Sequence, residues 1–323
     1  MKFTEQQLKQ YALPLSETEN QKCLHAISMV RDALKELGFA DPGTSISPLF
    51  SETYSYALEM KHSTLNRKVK IFIQGSYANN TNVRTQSDVD IAVVQEEVFQ
   101  TEYRSSGLYP QSDADYNFSI VPPATKSFKD EVQDCLTSKF GRDVERKDKS
   151  IKVHGNTYRK DADTVPCRRY RDYRQDFRKD ASNFIGGIVI YPDSGGSIIN
   201  YPEQHIANGK KKNTDTNHWY KKMVRIIKKI RYIMSDAGMT CADNVSSFGL
   251  ESLLWNIPNS EFMVYSSYGF SFKHILQYLY THQSDFSTYK EANGIKPLCP
   301  DISDITNYSR FITTLYQNYE YIY

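Results

Sequence analysis

The sequence predicts an α+β protein, in which a mixed β-sheet with helices is followed by a C-terminal helical lobe. In the N-terminal two thirds, apolar residues alternate with polar ones in several short segments, as they do in half-buried strands. Beyond residue 215 they recur every three or four positions, as they do in amphipathic helices. The change of pattern predicts a core domain at residues 1–205 and a helical lobe at residues 206–323.

A long helix is predicted near the start of the core. Ser16 and Glu19 have the spacing of a capping box, and Gly38 stands where a helix would end. Between them, apolar residues recur at steps of four and three: Cys23, Ile27, Val30, Leu34 and Leu37. We expect an amphipathic helix over about residues 15–38 that braces the fold.

Strand patterns follow this helix. The expected strands are residues 69–73, 88–94, 150–153 and 157–165, with a hairpin over 186–199. A helix is predicted around residues 126–140 and a short one near 54–60, whereas the polar segment 104–125 is predicted to be a loop.

The helical lobe is predicted to start after a lysine-rich loop at residues 209–213. Its first helix begins near Trp219 and ends at Gly238, and its second runs from Val245 until Pro258 stops it. Two more helices are expected at residues 270–280 and 302–323.

Composition excludes several classes of protein. The formal net charge is only +2, which argues against an extended duplex-binding surface. No apolar run approaches the roughly 20 residues of a membrane-spanning helix, and the first ten residues lack the apolar core of a signal peptide. The 5 cysteines lie far apart in sequence, so we expect reduced, structural thiols and a cytoplasmic protein without membrane association.

Acidic residues at alternate positions mark a candidate metal site. Side chains two apart on a strand share a face and lie roughly 7 Å apart, so Asp88 and Asp90 can converge on one ion. A second predicted strand contains Asp161 and Asp163 in the same alternation, and either can supply a third carboxylate. Hard oxygen ligands of this kind suit magnesium. The turn at Gly75-Ser76 offers backbone amides and a hydroxyl to phosphate oxygens.

These motifs resemble the polymerase-beta nucleotidyltransferase superfamily. The pattern comprises Gly75-Ser76, Thr81, Ser87-Asp88-Val89-Asp90 and Asp163-Thr164-Val165-Pro166. Within that superfamily the chain is most similar to the cGAS/DncV-like nucleotidyltransferases, the CD-NTases of bacterial anti-phage (CBASS) signalling. Further marks of that family are Asn200–His205, Lys212-Asn213, Val224–Lys228 and Ser246–Glu251, so the resemblance covers roughly residues 60–260.

The resemblance implies a polymerase-beta-like core with the active site in a cleft beside the helical lobe. It implies that Asp88, Asp90 and Asp163 hold two Mg²⁺ ions, for which Mn²⁺ can substitute, and Asp163 is preferred to Asp161 because it lies three residues before Pro166. By motif order, Lys228 and Ser247 would contact the triphosphate with Gly75 and Ser76.

The family also implies a product and partners. Nucleoside triphosphates would be joined into a cyclic di- or trinucleotide messenger, with release of pyrophosphate, and the messenger would activate a separate effector protein. We expect a monomer that needs no nucleic-acid activator. The alternatives are transfer of nucleotides to RNA or of AMP to protein on the same core, or an inactive nucleotide-binding relative.

Several residues have a simpler explanation. Lys228 could belong to a solvated helix face, and Ser247 could be a helix N-cap, a role compatible with phosphate contact. Basic residues 168–174 could form a nucleic-acid surface, and lysines 210–212 a solvated loop. His205 has no second histidine nearby, which favours a hydrogen-bonding role over metal binding.

Overall fold

The computed structural model describes residues 1–322 except 42, 44, 52, 84–87, 106 and 123. The strands in chain order are β1 (Lys2–Thr4), β2 (Phe39–Ala40), β3 (Ser47–Pro48), β4 (Tyr56–His62), β5 (Lys68–Ile73), β6 (Val89–Glu102), β7 (Val144–Arg146), β8 (Ile151–Val153), β9 (Ala162–Asp172), β10 (Ile185–Ile190), β11 (Ile198–Asn200) and β12 (Glu320–Ile322). The α-helices are α1 (Glu5–Tyr11), α2 (Glu17–Leu34), α3 (Gly75–Ala78), α4 (Phe128–Phe140), α5 (Pro202–Asp215), α6 (Trp219–Asp236), α7 (Ser247–Trp255), α8 (Tyr268–Thr281) and α9 (Ile302–Asn318).

The chain divides into two compact units. The sheet unit comprises Glu17–Gln74 and Asp88–Pro202, and the helical unit comprises Met1–Ser16, Gly75–Ser87 and Glu203–Tyr323. The predicted α+β fold class is confirmed, because a mixed sheet with helices and a largely helical part are both present. The domain limits of 1–205 and 206–323 stay a prediction.

The sheet unit is built around a mixed β-sheet. Its strand order is β11-β10-β9-β6-β5-β4-β2, with β3 on β4 and with β8 joining β7 to β9. The central strand β6 is antiparallel to β5 and parallel to β9. Its residues from Val89 to Val94 are apolar except Asp90, and the apolar ones are fully buried, as expected for a strand covered on both faces. Asp90 is therefore an exception that needs a reason.

Helices α2 and α4 pack against each other and against the strands β5, β6 and β9. Helix α2 confirms the predicted long helix, and a 3₁₀ turn at Lys35–Leu37 extends it to Gly38. The φ of Gly38 is 88°, a left-handed conformation that glycine adopts without a steric penalty. An apolar cluster within the sheet unit contains Ala57, Phe72, Ala92, Val94, Val165, Cys167, Ile188 and Ile190.

The short helix expected near residues 54–60 is wrong, because strand β4 occupies Tyr56–His62. Ala57, Leu58, Glu59 and Met60 are all good helix formers. In the folded chain Leu58 pairs with Ile71 and Met60 with Val69 of β5, and Leu58 and Met60 are buried. Pairing within the sheet therefore overrides the local preference.

In the helical unit, helix α6 packs against α1 and α7. Its apolar face joins a single large cluster with residues of α1, α7, α8 and α9; the cluster includes Leu8, Met223, Ile227, Ile230, Leu250, Leu254, Phe272, Leu276 and Phe311. The short strands β1 and β12 pair in parallel, Phe3 opposite Tyr321.

In the helical unit one prediction is wrong, and another is confirmed except at its C-terminal end. The expected lysine-rich loop at 209–213 is part of helix α5, where Lys212 donates to the carbonyl of Ile257. The helix expected over 302–323 ends at Asn318, because the next residues form β12.

All five cysteines are buried and free, which agrees with the expected reduced, structural role. Within the described residues, every helix is too short or too polar to cross a bilayer.

Candidate active site

The parallel pairing of β6 and β9 places two of the predicted carboxylates side by side. Asp90 is in register with Asp163, and the preceding pair is Val89 with Ala162. The amide of Val89 donates to the carbonyl of Asp161 at 2.9 Å, and the amide of Gln74 donates to the carbonyl of Asp90 at 2.9 Å. Backbone hydrogen bonds therefore hold Asp90 and Asp163 as neighbours on adjacent strands.

These two carboxyl groups have raised pKa values. Burial, with smaller contributions from the charges of Asp163 and Asp88, raises the pKa of Asp90 to about 7. Burial and the charge of Asp88 also raise the pKa of Asp163, against the opposing effects of Lys147, Lys152 and the Ser150 hydroxyl. The Ser150 Oγ donates to Asp163 Oδ1 at 3.3 Å. The carboxylates thus repel one another, and a cation would relieve that repulsion.

Asp88 and Asp161 share one lysine. The Nζ of Lys152, on β8, lies 2.7 Å from Asp88 Oδ2 and 2.8 Å from Asp161 Oδ2. Asp161 also accepts a hydrogen bond from the amide of Gly155 at 2.5 Å. The hydrogen bond from Lys152 is the main cause of the lowered pKa of Asp161. Asp161, the alternative third ligand, thus has its own partners, whereas Asp163 faces Asp90.

The donor set fits a hard divalent cation. Asp88, Asp90 and Asp163 supply carboxylate oxygens, the ligands that Mg²⁺ prefers. In the described part of the chain, no three carboxylate, imidazole or thiol side chains come together in a group that could hold an ion. Asp88 is instead paired with Lys152. The chemistry of the ligands is therefore suitable, and Asp88 would have to exchange its partner.

The Gly75-Ser76 motif forms a helical turn, α3, rather than an open turn. Gly75 has a φ of 69°, which explains the glycine. The amide of Asn79 donates to the carbonyl of Gly75 at 3.2 Å, and the amide of Thr81 donates to the carbonyl of Ser76 at 2.8 Å. The turn is thereby tied to the polar segment that follows it.

A buried network centred on Glu251 holds that segment inside the helical unit. One carboxylate oxygen, Oε2, accepts from Thr81 Oγ1 at 2.6 Å and from Lys228 Nζ at 2.6 Å. The other, Oε1, lies 2.8 Å from His205 Nε2 and 3.3 Å from Asn79 Nδ2. The network therefore joins helices α5, α6 and α7 to residues 79–81.

The pKa of Glu251 is shifted in the opposite direction to the pKa values of Asp90 and Asp163. Burial alone would raise the pKa of the Glu251 carboxyl, but the charges and hydrogen bonds of Lys228 and His205 lower it well below its usual range. The side chains of Lys228 and Glu251 are only 2% and 1% exposed. Lys228 does not lie on a solvated helix face; its triphosphate role stays a prediction.

Ser246 is the N-cap of α7, because its Oγ accepts from the amide of Gly249 at 2.9 Å. Ser247 is the first residue of that helix, so the alternative N-cap role belongs to its neighbour. The predicted phosphate contact of Ser247 is untested.

Two other sequence features have structural roles. Residues 168–172 of the basic segment belong to β9, where Arg169 is 6% exposed and pairs with Glu96 at 2.5 Å. Arg174 pairs with Asp172 at 2.6 Å. His205 serves the hydrogen-bonding role expected of it. These contacts account for Arg169 and Arg174 without a nucleic acid.

Sequence reasoning assigned no role to Lys152 or Glu251. Glu251 lies between Leu250 and Leu253 in a helix whose neighbouring residues are buried, and a charge in such a position indicates a buried partner. Lys152 alternates with Ile151 and Val153 on β8, which by itself indicates only an ordinary strand lysine.

Known proteins resemble both parts of the chain. The family model for a nucleotidyltransferase domain matches residues 57–183, and that for the cGAS/DncV-like nucleotidyltransferase C-terminal helical domain matches residues 207–321. The chain is 44% identical to cyclic GMP-AMP synthase CdnE03 of Staphylococcus schleiferi over 99% of this chain and 98% of that protein.

Two solved structures are similar over nearly the whole length. The CdnE cyclic dinucleotide synthase of Elizabethkingia meningoseptica, solved with GTP and Apcpp, has a TM-score of 0.70 and 30% identity, covering 98% of each chain. The CdnE c-UMP-AMP synthase of Rhodothermus marinus, solved with Apcpp and Upnpp, has a TM-score of 0.75 and 26% identity, covering 97% of this chain and 96% of that one. The chain therefore belongs to the cGAS/DncV-like nucleotidyltransferases, and it is a nucleotidyltransferase of the cyclic oligonucleotide synthase class.

Proposed function

We propose that the protein joins two nucleoside triphosphates into a cyclic dinucleotide second messenger in a metal-dependent reaction. The observation that carries this proposal is the register of Asp90 with Asp163 on adjacent parallel strands, beside Asp88. ATP and GTP are the first pair to test, because a relative with 44% identity is named cyclic GMP-AMP synthase. A trinucleotide or linear product would be a variant of the same chemistry.

The reaction requires two nucleotidyl transfers. In each, a ribose hydroxyl oxygen forms a bond to an α-phosphorus, the bond from that phosphorus to the β-phosphate oxygen breaks, and pyrophosphate leaves. Asp163 would accept the hydroxyl proton, a role that a carboxylate can serve when it lies within hydrogen-bonding reach of the reacting hydroxyl. The second transfer closes the ring and releases the second pyrophosphate.

Asp88, Asp90 and Asp163 would hold two Mg²⁺ ions, which Mn²⁺ can replace. When bound, these ions stabilise charge on the entering and leaving oxygens. The carboxylates keep this role only while ionised, and the raised pKa of Asp90, about 7, means that protonation competes with metal binding at this carboxyl.

The triphosphate would be bound by Gly75, Ser76, Lys228 and Ser247. The amides of the α3 turn and the first amides of α7 are donors suited to anions. Lys228 would have to exchange Glu251 for a phosphate, or support binding through Thr81, which its Nζ contacts at 3.3 Å. Either role keeps a positive charge next to the segment after Ser76.

The proposed cellular setting follows from the family. The product would activate a separate effector protein in the cytoplasm as part of anti-phage defence. The enzyme would act as a monomer without a nucleic-acid activator.

The test uses purified protein with Mg²⁺ and α-labelled nucleotides, supplied singly and in every pair. We expect pyrophosphate and a phosphatase-resistant cyclic dinucleotide, and we expect Asp90→Asn and Asp163→Asn to lower the rate by about 10³-fold, the scale for losing a group that stabilises transition-state charge. Matched controls are Asp148→Asn and Asp180→Asn, two exposed aspartates. A label attached to added RNA or to protein would instead favour the corresponding alternative transferase, and product formation by both site variants would overturn the proposal.

A further inference from the structure

Lys152 lies among the aspartates but has no role in the reaction described above. Strand β8 pairs with β9 so that Lys152 is opposite Asp163, and its Nζ bridges Asp88 and Asp161. The lysine side chain is 12% exposed, whereas those of Asp88 and Asp161 are 38% and 37% exposed. A largely buried ammonium thus contacts two carboxylates that solvent can reach.

The bridge leaves the aspartate group negatively charged. Asp88, Asp90, Asp161 and Asp163 carry four carboxyl groups, and Lys152 makes direct ion pairs with two of them. Lys147 also acts on Asp163, but only through its charge at a distance. Asp88 is therefore neutralised by an internal cation, while Asp90 and Asp163 are not.

We propose that Lys152 is a positioning residue that acts as an internal counter-ion, holding Asp88 in the metal-free enzyme and giving it up when a divalent cation binds. Asp161 is the second anchor: it keeps the ammonium, with help from the Gly155 amide, after Asp88 is released. This inference rests on the proposed function only in treating Asp88 as a metal ligand. It also gives Asp161 a role distinct from that of Asp163, which is in register with Asp90.

Competition between the ammonium and the metal has a definite sign. Removal of the lysine charge frees Asp88 and should tighten divalent binding, because the metal no longer displaces an ion pair. It should also destabilise the metal-free protein, since Asp88 and Asp161 would then lack their cation.

The experiment compares Lys152→Met and Lys152→Arg with wild type, with Lys149→Met as a control at an exposed lysine next to β8. Binding of Mn²⁺ without nucleotide is measured by electron paramagnetic resonance, and Tm is measured with a chelator and with Mn²⁺. We expect Lys152→Met to bind Mn²⁺ about fivefold more tightly, the factor for a partly exposed ion pair, and to melt further below wild type in the chelator than with Mn²⁺. Lys152→Arg and Lys149→Met should resemble wild type.

A folded Lys152→Met protein with unchanged or weaker Mn²⁺ binding would overturn the inference. If that variant does not fold, Lys152→Gln, which keeps hydrogen bonding without charge, takes its place under the same criterion. Asp88→Asn separates this outcome from failure of the metal site itself. If Asp88→Asn does not weaken Mn²⁺ binding, Asp88 is not a metal ligand, and both the counter-ion role of Lys152 and the metal-binding role proposed for Asp88 fail. If Asp88→Asn weakens Mn²⁺ binding while Lys152→Met has no effect, only the counter-ion role fails.

Discussion

The aspartates of the sheet unit and the Glu251 network of the helical unit are opposite solutions to placing carboxylates inside a protein. Around Glu251, one carboxylate meets a lysine and a histidine, and both of its oxygens are hydrogen-bonded. Among the aspartates, anionic groups outnumber the lysine that pairs with them directly, and Asp90 and Asp163 have raised pKa values. A carboxylate that is already neutralised has little attraction for a further cation, whereas a site with excess negative charge favours one.

This difference in charge balance indicates different roles for the two regions. A buried, satisfied network stabilises one local arrangement, here the segment 79–81 that follows the Gly75-Ser76 turn. Carboxylates that repel one another reduce the stability of the empty site and thereby store affinity for a metal ion. Variants that change one region or the other should reveal this contrast.

The largest expected effect on stability is at Glu251. Glu251→Ala leaves Lys228 buried without its carboxylate partner, which should lower the free energy of unfolding by about 3–5 kcal/mol. Urea denaturation followed by circular dichroism measures the change. The double variant Lys228→Met/Glu251→Leu removes both charges and should recover most of the loss. Equal stability of Glu251→Ala and wild type would contradict the structural role of the network.

The pH dependence of stability should differ between the regions. The raised pKa of Asp90, about 7 against about 3.9 in the unfolded chain, means that its contribution to stability is present below pH 4 and is lost as the pH rises towards 7. Metal-free Asp90→Asn should therefore melt a few degrees above wild type at pH 7.5, with a smaller difference at pH 5. Mg²⁺ should raise the Tm of wild type more than that of the variant.

The contribution of Glu251 to stability should depend on pH in the opposite direction to that of Asp90, which makes Glu251 an internal comparison. Its lowered pKa means that its stabilisation is present above the unfolded value of about 4.3 and is lost only as the pH falls below it. Between pH 5 and 8 its contribution should be flat. A difference between Asp90→Asn and wild type that is the same at every pH would argue against the raised pKa of the Asp90 carboxyl.

The smallest expected effects on stability concern two adjacent serines at the start of α7, Ser246 and Ser247. Ser246→Ala removes the N-cap hydrogen bond to Gly249 and should lower stability by about 1 kcal/mol. Ser247→Ala should change stability by less than about 0.5 kcal/mol but raise the KM for nucleotide if Ser247 contacts phosphate. Denaturation and steady-state kinetics of both variants check the assignment. A stability loss confined to Ser247→Ala would reverse it.

Parts of the fold that depend on local pattern were predictable. The alternation around Asp88 and Asp90 indicates a strand by itself, and the spacing of apolar residues in α2 and α6 indicates helices. The strand β4 was not predictable, because its residues favour a helix and only pairing with β5 decides the outcome. The same holds for α5, whose lysines resemble a loop until Lys212 is placed against Ile257.

Partners brought together by the fold explain the rest of the candidate site. Asp88 and Lys152 are 64 residues apart, and Thr81 and Glu251 are 170 apart. No local sequence pattern predicts which distant residues will pair, whereas each short motif can be recognised from its own residues. The distinction between Ser246 and Ser247 is of another kind, because helix ends shift by a residue without changing the pattern.

The close approach of Gly209 in α5 to Asn79 has an evolutionary consequence. A β-carbon at position 209 would lie 2.7 Å from Asn79 Oδ1, so helix and segment touch without room for a methyl group. Position 209 is therefore not free to change independently of position 79: a residue larger than glycine at 209 demands a smaller side chain at 79, or a displaced backbone. Across homologues the two positions should covary, and a designer who alters the segment after the Gly75-Ser76 turn must redesign α5 together with it.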